Sequence, residues 1–443
     1  MNRKIAFVSL GCPKNQVDAE LMIKKLSDAG YEMIDTPYGA DAVIVNTCGF
    51  IEAAKREGID TILEMGQYKE EGEIGKIIVI GCMAQRYREE ILKEMPEVDA
   101  VGGIGVDGDI VSFVDSVFEG SRDNARFPPR TALPLSGERI LTTPPYWAYL
   151  KISDGCSNGC AFCAIPQIRG PFRSREIDDI VDEAEALAKG GVKELIVIAQ
   201  DTTRYGLDRY GELMLPILLR RLDQVDGLKW IRLLYCYPDR LTDETLQVIR
   251  DSEKILHYID LPLQHASGRL LERMRRTGDR ASLTALIGKI RAYLPDCVLR
   301  TTFITGFPGE TDEDFDELSE FVEDIGFDRL GVFAFSPEEG TLAYSMPDQV
   351  DPALAEHRGE VLMEQQYEIA LKKQEALIGS VLECVTEDYD GYTDSYSGRT
   401  WMDAPEIDAG IRFISDRDLE PGDFVQVRVT GVNEYDLIGE EVS

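Results

Sequence analysis

Histidine is almost missing from this chain of 443 residues: there are three, His257, His265 and His357. A metal site here has to rest on thiolate. Positive charge is also scarce, 47 Lys and Arg against 81 Asp and Glu, for a formal charge of -34. That balance opposes non-specific binding to nucleic acid; it favours a basic partner, or serves solubility alone. No stretch approaches the roughly 20 apolar residues of a membrane span. The start, Met1-Asn2-Arg3-Lys4, leads into a short strand-like run without a cleavage pattern. The sequence therefore predicts a cytoplasmic protein with no membrane partner. Repeats and low-complexity tracts are absent too. Nine cysteines stand at positions 12, 48, 82, 156, 160, 163, 236, 297 and 384. An odd count in a reducing compartment argues against a disulfide framework and for metal or catalysis.

What is present divides into an α/β chain of about three domains, the number expected at roughly 150 residues each. Residues 1–125 alternate buried-strand runs (5–8, 42–45, 77–80) with helical patterns such as 16–29, which predicts an open parallel sheet with flanking helices. Residues 126–145 read as a linker: periodicity fades from 121 onward and Pro128, Pro129, Pro134, Pro144 and Pro145 gather there. Residues 146–372 carry strand candidates at 147–152, 195–199, 230–234, 258–261, 298–304 and 330–335, separated by helical segments. About six β/α units predict a partial β/α barrel. A long helical pattern fills 351–378. In 373–443, period-two runs punctuated by glycine predict a small antiparallel β-barrel. Residues 380–443 hold sixteen Asp and Glu, four Arg and no Lys.

The segment Asp154-Gly155-Cys156-Ser157-Asn158-Gly159-Cys160-Ala161-Phe162-Cys163 carries a Cys-x3-Cys-x2-Cys spacing. Three thiolates within eight residues can wrap one small cluster, with Gly155 and Gly159 letting the loop turn tightly. Zinc usually closes its site with four ligands, and no fourth Cys or His lies nearby. Three thiolates on a four-iron cluster leave one iron open to a substrate. A zinc knuckle or three unrelated core thiols are the alternatives. The loop follows the first barrel strand, on the face where barrel enzymes keep their sites.

Cys12, Cys48 and Cys82 look scattered but share a context: each sits a few residues past a predicted parallel strand, beside Gly11, Gly49 and Gly81. Carboxyl ends of neighbouring parallel strands converge on one sheet edge, where such folds bind ligands. Three thiols would meet there, either as a second cluster with an exchangeable iron or as inert buried cysteines. Cys236, Cys297 and Cys384 lack such partners and read as structural.

The first spacing, with Phe162 before the last Cys, resembles the radical-AdoMet superfamily. Gln200-Asp201-Thr202, ending a barrel strand, resembles that superfamily's segment near the methionine end of AdoMet. Gly306 and Gly309, in Thr305-Gly306-Phe307-Pro308-Gly309-Glu310, resemble its segment beside the adenine. Leu261-Pro262-Leu263-Gln264-His265 also ends a strand; Gln264 and His265 either serve the site or satisfy loop hydrogen bonds. With two three-Cys sets and a terminal β-barrel, the whole chain resembles the methylthiotransferase family: a cluster domain, a radical-AdoMet barrel and a TRAM domain. Ser9-Leu10-Gly11-Cys12-Pro13-Lys14-Asn15 and Asn46-Thr47-Cys48-Gly49-Phe50-Ile51 look most like the branch that modifies a ribosomal protein. The tRNA-modifying branch usually has Gln-Met-Asn after its first Cys. An iron–sulfur scaffold or electron carrier is a reading from another class.

The resemblance implies two 4Fe-4S clusters, on Cys12, Cys48 and Cys82 and on Cys156, Cys160 and Cys163. It implies S-adenosyl-L-methionine used both as methyl donor and as source of a 5′-deoxyadenosyl radical, near Phe162, Gln200, Asp201, Thr202, Gly306 and Gly309. The implied product is a methylthiolated β-carbon of an aspartate in a basic small-subunit ribosomal protein, with flavodoxin or ferredoxin as reductant. The acidic, Lys-free C-terminal segment fits a basic protein better than RNA phosphate; tRNA remains the alternative substrate.

Overall fold

The structure is a computed structural model that describes residues 3–120 and 124–442. Met1 and Asn2 of the N-terminal reading, residues 121–123 at the start of the aperiodic stretch, and Ser443 lie outside the described residues.

The first unit runs β1 (Lys4–Ser9), α1 (Pro13–Asp28), β2 (Glu32–Ile34), β3 (Ala42–Thr47), α2 (Glu52–Glu70), β4 (Lys76–Gly81), α3 (Cys82–Glu94), β5 (Ala100–Gly102), α4 (Ile110–Phe118) and β6 (Ala125–Arg126). Its sheet is parallel throughout, in the order β2-β1-β3-β4-β5-β6. The apolar runs of β3 and β4 are buried because helices cover both faces. Pro13 opens α1, where its missing N–H costs nothing and its fixed φ suits the first turn. β6 corrects the linker start at 126: Ala125 pairs with Val101 and Arg126 with Gly102, so the sheet crosses that boundary. A two-residue strand carries no periodicity to read. The rest of the segment is strapped down. The Arg139 side chain is buried and meets Glu20 of α1 at 2.6 Å and Glu183, farther along the chain, at 2.9 Å.

The second unit runs β7 (Trp147–Lys151), β8 (Ser153–Asp154), α5 (Ile165–Arg169), β9 (Arg173–Ser174), α6 (Ile177–Lys189), β10 (Glu194–Ile198), α7 (Leu215–Asp223), β11 (Trp230–Leu233), α8 (Asp243–Asp251), β12 (Ile255–Asp260), α9 (Gly268–Arg273), α10 (Arg280–Tyr293), β13 (Val298–Thr305), α11 (Asp312–Ile325), β14 (Arg329–Ala334) and α12 (Pro352–Glu375). Six parallel strands, β14-β13-β12-β11-β10-β7, form an open sheet in which β14 and β7 do not pair: a partial barrel. Strand alternation divides its faces. Ala148, Leu150 and Ile259 pack with the helices, whereas Trp147, Tyr149 and Tyr258 face the other way. α12 continues to Glu375, past the expected boundary at 372: Gly359 sits within it without ending it, and the next glycine comes only at Gly379.

The third unit, β15 (Val381–Asp390), β16 (Ser395–Thr400), β17 (Ile411–Ile414), β18 (Phe424–Asn433) and β19 (Asp436–Glu441), closes into a barrel in the order β15-β16-β17-β19-β18. The expectation of a wholly antiparallel barrel needs one correction: β17 and β19 pair in parallel. Five strands in a ring cannot alternate direction all the way round, so one pair has to run the same way. This barrel packs on the second face of the open sheet, Phe413, Val425 and Val427 joining Trp147, Tyr149 and Trp230 in one core. Part of its acidity is used there. Asp403 meets Arg329 at 2.5 Å, Glu383 meets Lys229 at 2.7 Å, and the Tyr258 hydroxyl donates to Asp408 at 2.6 Å. The sixteen carboxylates are therefore not all available to an outside partner.

Candidate active site

β1, β3 and β4 are neighbours in the first sheet, and a cysteine follows the carboxyl end of each. Cys48 comes directly after Thr47, Cys82 directly after Gly81, and Cys12 three residues after Ser9. Asn15 ties the three ends together. Its amide nitrogen donates to the carbonyls of Leu10 (3.1 Å) and Thr47 (3.0 Å), and its amide oxygen lies 3.6 Å from the Cys82 sulfur. Crowding is severe: Gly11 has φ +100°, and a Cβ there would stand 2.7 Å from the Cys48 Cβ. The other trio hangs on the loop after β7. Gly155 turns it at φ +76°, where a Cβ would lie 2.2 Å from the Pro171 carbonyl oxygen.

All six cysteines line one cavity of about 320 Å³ between the first unit and the carboxyl ends of the barrel strands. A buried ionic knot holds the two sides in register. Asp18 of α1 meets Lys151 of β7 and, at 2.8 Å, Arg169 of α5; Arg169 also meets Asp154 at 2.7 Å and donates to the Asn15 amide oxygen at 2.6 Å. Burial opposes the Arg169 charge, but Asp154, Asp18 and the thiols of Cys82 and Cys12 outweigh it and raise the pKa. Lys151 is likewise raised, since Asp18 and Asp154 outweigh its burial. Cys82 packs on Ala164 and Ile168, at the start of and within α5 on the opposite side.

Burial raises the Cys82 thiol to about 12, the Cys163 thiol to about 12 and the Cys156 thiol to about 11; it also raises Cys48. Cys12 moves the other way. Burial would raise it, but the charges of Lys14 and Arg169 and the amides of Asn15 and Lys14 prevail. Among the described residues, no group of three or more His, Cys, Asp or Glu is gathered tightly enough for a single metal ion. Trios splayed around a cavity suit a multi-iron cluster, which keeps its ligand sulfurs apart, better than one zinc. Both polar atoms of the Gln200 amide are buried in the cavity wall with no hydrogen-bond partner among the described residues. Such an orphaned group fits a polar cofactor.

Of the residues expected near AdoMet, Phe162 and Gln200 line the cavity and the others do not. Asp201 accepts from Asn158 (2.8 Å) and the Arg204 amide (3.1 Å), and the Thr202 hydroxyl donates to the Leu234 carbonyl (2.9 Å). The Gly306 amide donates to Glu310 at 2.9 Å, and Gly309 lies against Arg273. Gln264 lines the cavity at φ 76°, whereas His265 is buried and its Nδ1 accepts from the Ser267 amide at 3.0 Å. Cys236, read as structural, is a correction: it lines the cavity too, 3.8 Å from the Thr202 hydroxyl. Cys297 and Cys384 are buried elsewhere. Sequence reasoning missed Lys14, Arg169, Tyr235, Tyr237 and Arg276 in the wall. Only Lys14 belongs to one of the motifs above; Arg169 ends the short helix α5, and Tyr235, Tyr237 and Arg276 stand on loops without local pattern.

Comparison with known proteins agrees with this geometry. Residues 4–103 match the family described as Uncharacterized protein family UPF0004, 150–322 the Radical SAM superfamily, and 378–442 the TRAM domain. The fold is similar to radical S-adenosylmethionine methyltransferase TsrM from Kitasatospora setae, with TM-score 0.58 and 13% identity over 88% of this chain and 79% of that one. Fold and site together define a radical-AdoMet enzyme, with S-adenosylmethionine and 4Fe-4S clusters as its cofactors. The chain is 48% identical over 439 residues (99% of this chain, 100% of the relative) to "Ribosomal protein uS12 methylthiotransferase RimO" of Caldanaerobacter subterraneus subsp. tengcongensis. To the protein of that name in Clostridioides difficile it is 46% identical over 442 residues, 99% of this chain and 98% of the relative. The chain belongs to the RimO family of methylthiotransferases. Among the described residues, no helix is long and apolar enough to cross a membrane.

Proposed function

We propose that this methylthiotransferase acts on the β-carbon of an aspartate in ribosomal protein uS12, in the cytoplasm, with flavodoxin or ferredoxin as reductant. Cys156, Cys160 and Cys163 hold the cluster that binds AdoMet, and Cys12, Cys48 and Cys82 hold the cluster that presents sulfur. The carrying observation is that six thiols from two units share one cavity with a volume of about 320 Å³. When bound, the clusters and AdoMet supply the one-electron chemistry that an unactivated C–H bond requires and the methylated sulfur that replaces its hydrogen.

The chain's own residues bind, orient and exclude water. Phe162 and Gln200 face AdoMet, the latter offering the free amide described above. Phe50, Ile165 and Pro262 give the cavity apolar walls that keep water from a reactive intermediate. Asn15 and the Asp18–Lys151–Arg169–Asp154 knot fix one trio against the other, so the reacting carbon need not travel between separate sites. Asp201, Thr202, Gly306 and Gly309 support the loops that carry these groups.

The test is incubation of anaerobically purified enzyme with AdoMet, reductant and either uS12 or tRNA. The expected result is about eight irons per chain and uS12 heavier by one methylthio group in place of a hydrogen. Modified tRNA beside unmodified uS12 would overturn the substrate. Zinc, or about four irons, would overturn the second cluster.

A further inference from the structure

The chain carries 81 acidic residues against 47 basic, yet its central cavity reverses the balance. Among the described residues, no Asp or Glu lines it, while Lys14, Arg169 and Arg276 do. Two of the three cations are already engaged. Arg169 is held by Asp18, Asp154 and Asn15. Arg276 donates to the Pro262 carbonyl at 2.5 Å, and its guanidinium sits 3.9 Å from the Tyr237 ring centroid and 3.9 Å from the Cys160 sulfur, on the AdoMet side.

Lys14 differs. The residue is buried, 6% exposed, and lines the cavity two positions past Cys12. Among the described residues, no carboxylate or hydrogen-bond acceptor reaches its Nζ; it rests 3.2 Å from the centroid of the Tyr235 ring. A cation–π contact orients an ammonium without neutralising it, and an unpaired buried charge is costly to keep. The support is itself built at a cost. Tyr235 follows β11 at φ 61°, a left-handed conformation unfavourable for a tyrosine. Its amide is held by Asp260 at 2.8 Å, and its carbonyl accepts from the Thr202 amide at 3.0 Å. Strain of this kind persists where the surroundings enforce it, and here it puts an aromatic face under the Lys14 ammonium.

We propose that Lys14 is the specificity-determining residue of the reaction, its Nζ binding the carboxylate of the target aspartate; this rests on the substrate reading above. The chemistry suits the reaction. An aspartate β-carbon is one bond from its carboxylate, so anchoring the carboxylate fixes the reacting carbon within the cavity. Asparagine has the same shape without the charge.

The experiment uses full-length enzyme with both clusters, uS12, and uS12 carrying Asn for the target Asp. Wild type should favour Asp over Asn by roughly 100-fold in kcat/KM. Lys14→Met should lose most of that factor on Asp and little on Asn, bringing the ratio within a few-fold, with iron content and cluster EPR signals as in wild type. Lys14→Arg should restore part of the preference, which a purely structural role does not predict. A Met variant that keeps the preference overturns the proposal. So does one that loses iron and fails equally on both substrates, since Lys14 then only balances thiolate charge. If wild type modifies tRNA and leaves uS12 untouched, the substrate reading falls and this proposal with it. Normal uS12 modification by wild type confines any failure to Lys14.

Discussion

Cys156, Cys160 and Cys163 lie within eight residues on one loop, whereas Cys12, Cys48 and Cys82 come from the ends of three adjacent strands. The first trio is local: a loop turned by Gly155 can present three thiols whatever the distant chain does. The second exists only while β1, β3 and β4 keep their order and register, since each thiol is set by where its own strand stops. One side of the cavity is thus written in sequence and the other is assembled by topology. Asn15 and Arg169 join them, because Asn15 spans the strand ends and Arg169 reaches Asn15 from the barrel.

The comparison breaks most completely at Cys156. Cys156→Ala should abolish AdoMet cleavage, read as 5′-deoxyadenosine after reduction, and roughly halve the iron content. Cys48→Ala sharpens it from the other side: 5′-deoxyadenosine should still form, while methylthiolated uS12 disappears. Full product from that variant would remove the first unit from the chemistry. Asp18→Ala attacks the joint between the trios. It strips Lys151 and Arg169 of a shared buried partner, at a cost of about 3–5 kcal/mol, which should lower the apparent Tm by roughly 10 °C. Lys151 and Asp154, with much of the knot intact, should still leave the first-trio loop folded.

The smallest effect lies away from both trios, at Asp314 in the first turn of α11. Burial would raise its pKa, but the Ser267 hydroxyl, the Thr311 amide and Arg269 prevail and hold it down to about 2. Because the folded value is depressed, its contribution is complete above the unfolded value near 4 and fades as pH falls through about 2. Asp314→Ala should therefore cost about 1 kcal/mol at neutral pH and flatten that part of an acid-unfolding curve.

Much of this arrangement was legible beforehand. Strands such as 5–8, 42–45 and 77–80 are apolar runs that have nowhere to go but a sheet covered on both faces, and the local Cys spacing announces itself. Short elements are not: β6 has two residues and no period, so periodicity alone starts the linker inside a strand. Cys236 reads as structural for a similar reason. Nothing around it in sequence marks it, and it reaches the cavity only because β11 ends beside β10 and β12. Nothing in the acidic C-terminal segment marks which carboxylates are used within the fold: Asp403 and Asp408 turn inward to partners on the open sheet, and Glu383 pairs with Lys229 beside it.

Residue order alone determined the kinds of chemistry available, because thiol count, spacing and the near-absence of histidine are properties of the chain before it folds. It determined the three-part fold as well, since hydrophobic period is set residue by residue. Only the tertiary structure decided the sign of charge in the cavity. A protein this acidic encloses a pocket whose charged lining is lysine and arginine because carboxylates from elsewhere, Asp18 and Asp154 among them, are drawn behind the wall to pair with Arg169 while Lys14 is left facing in. Such pairing depends on distances between remote segments, and no local stretch of sequence contains them.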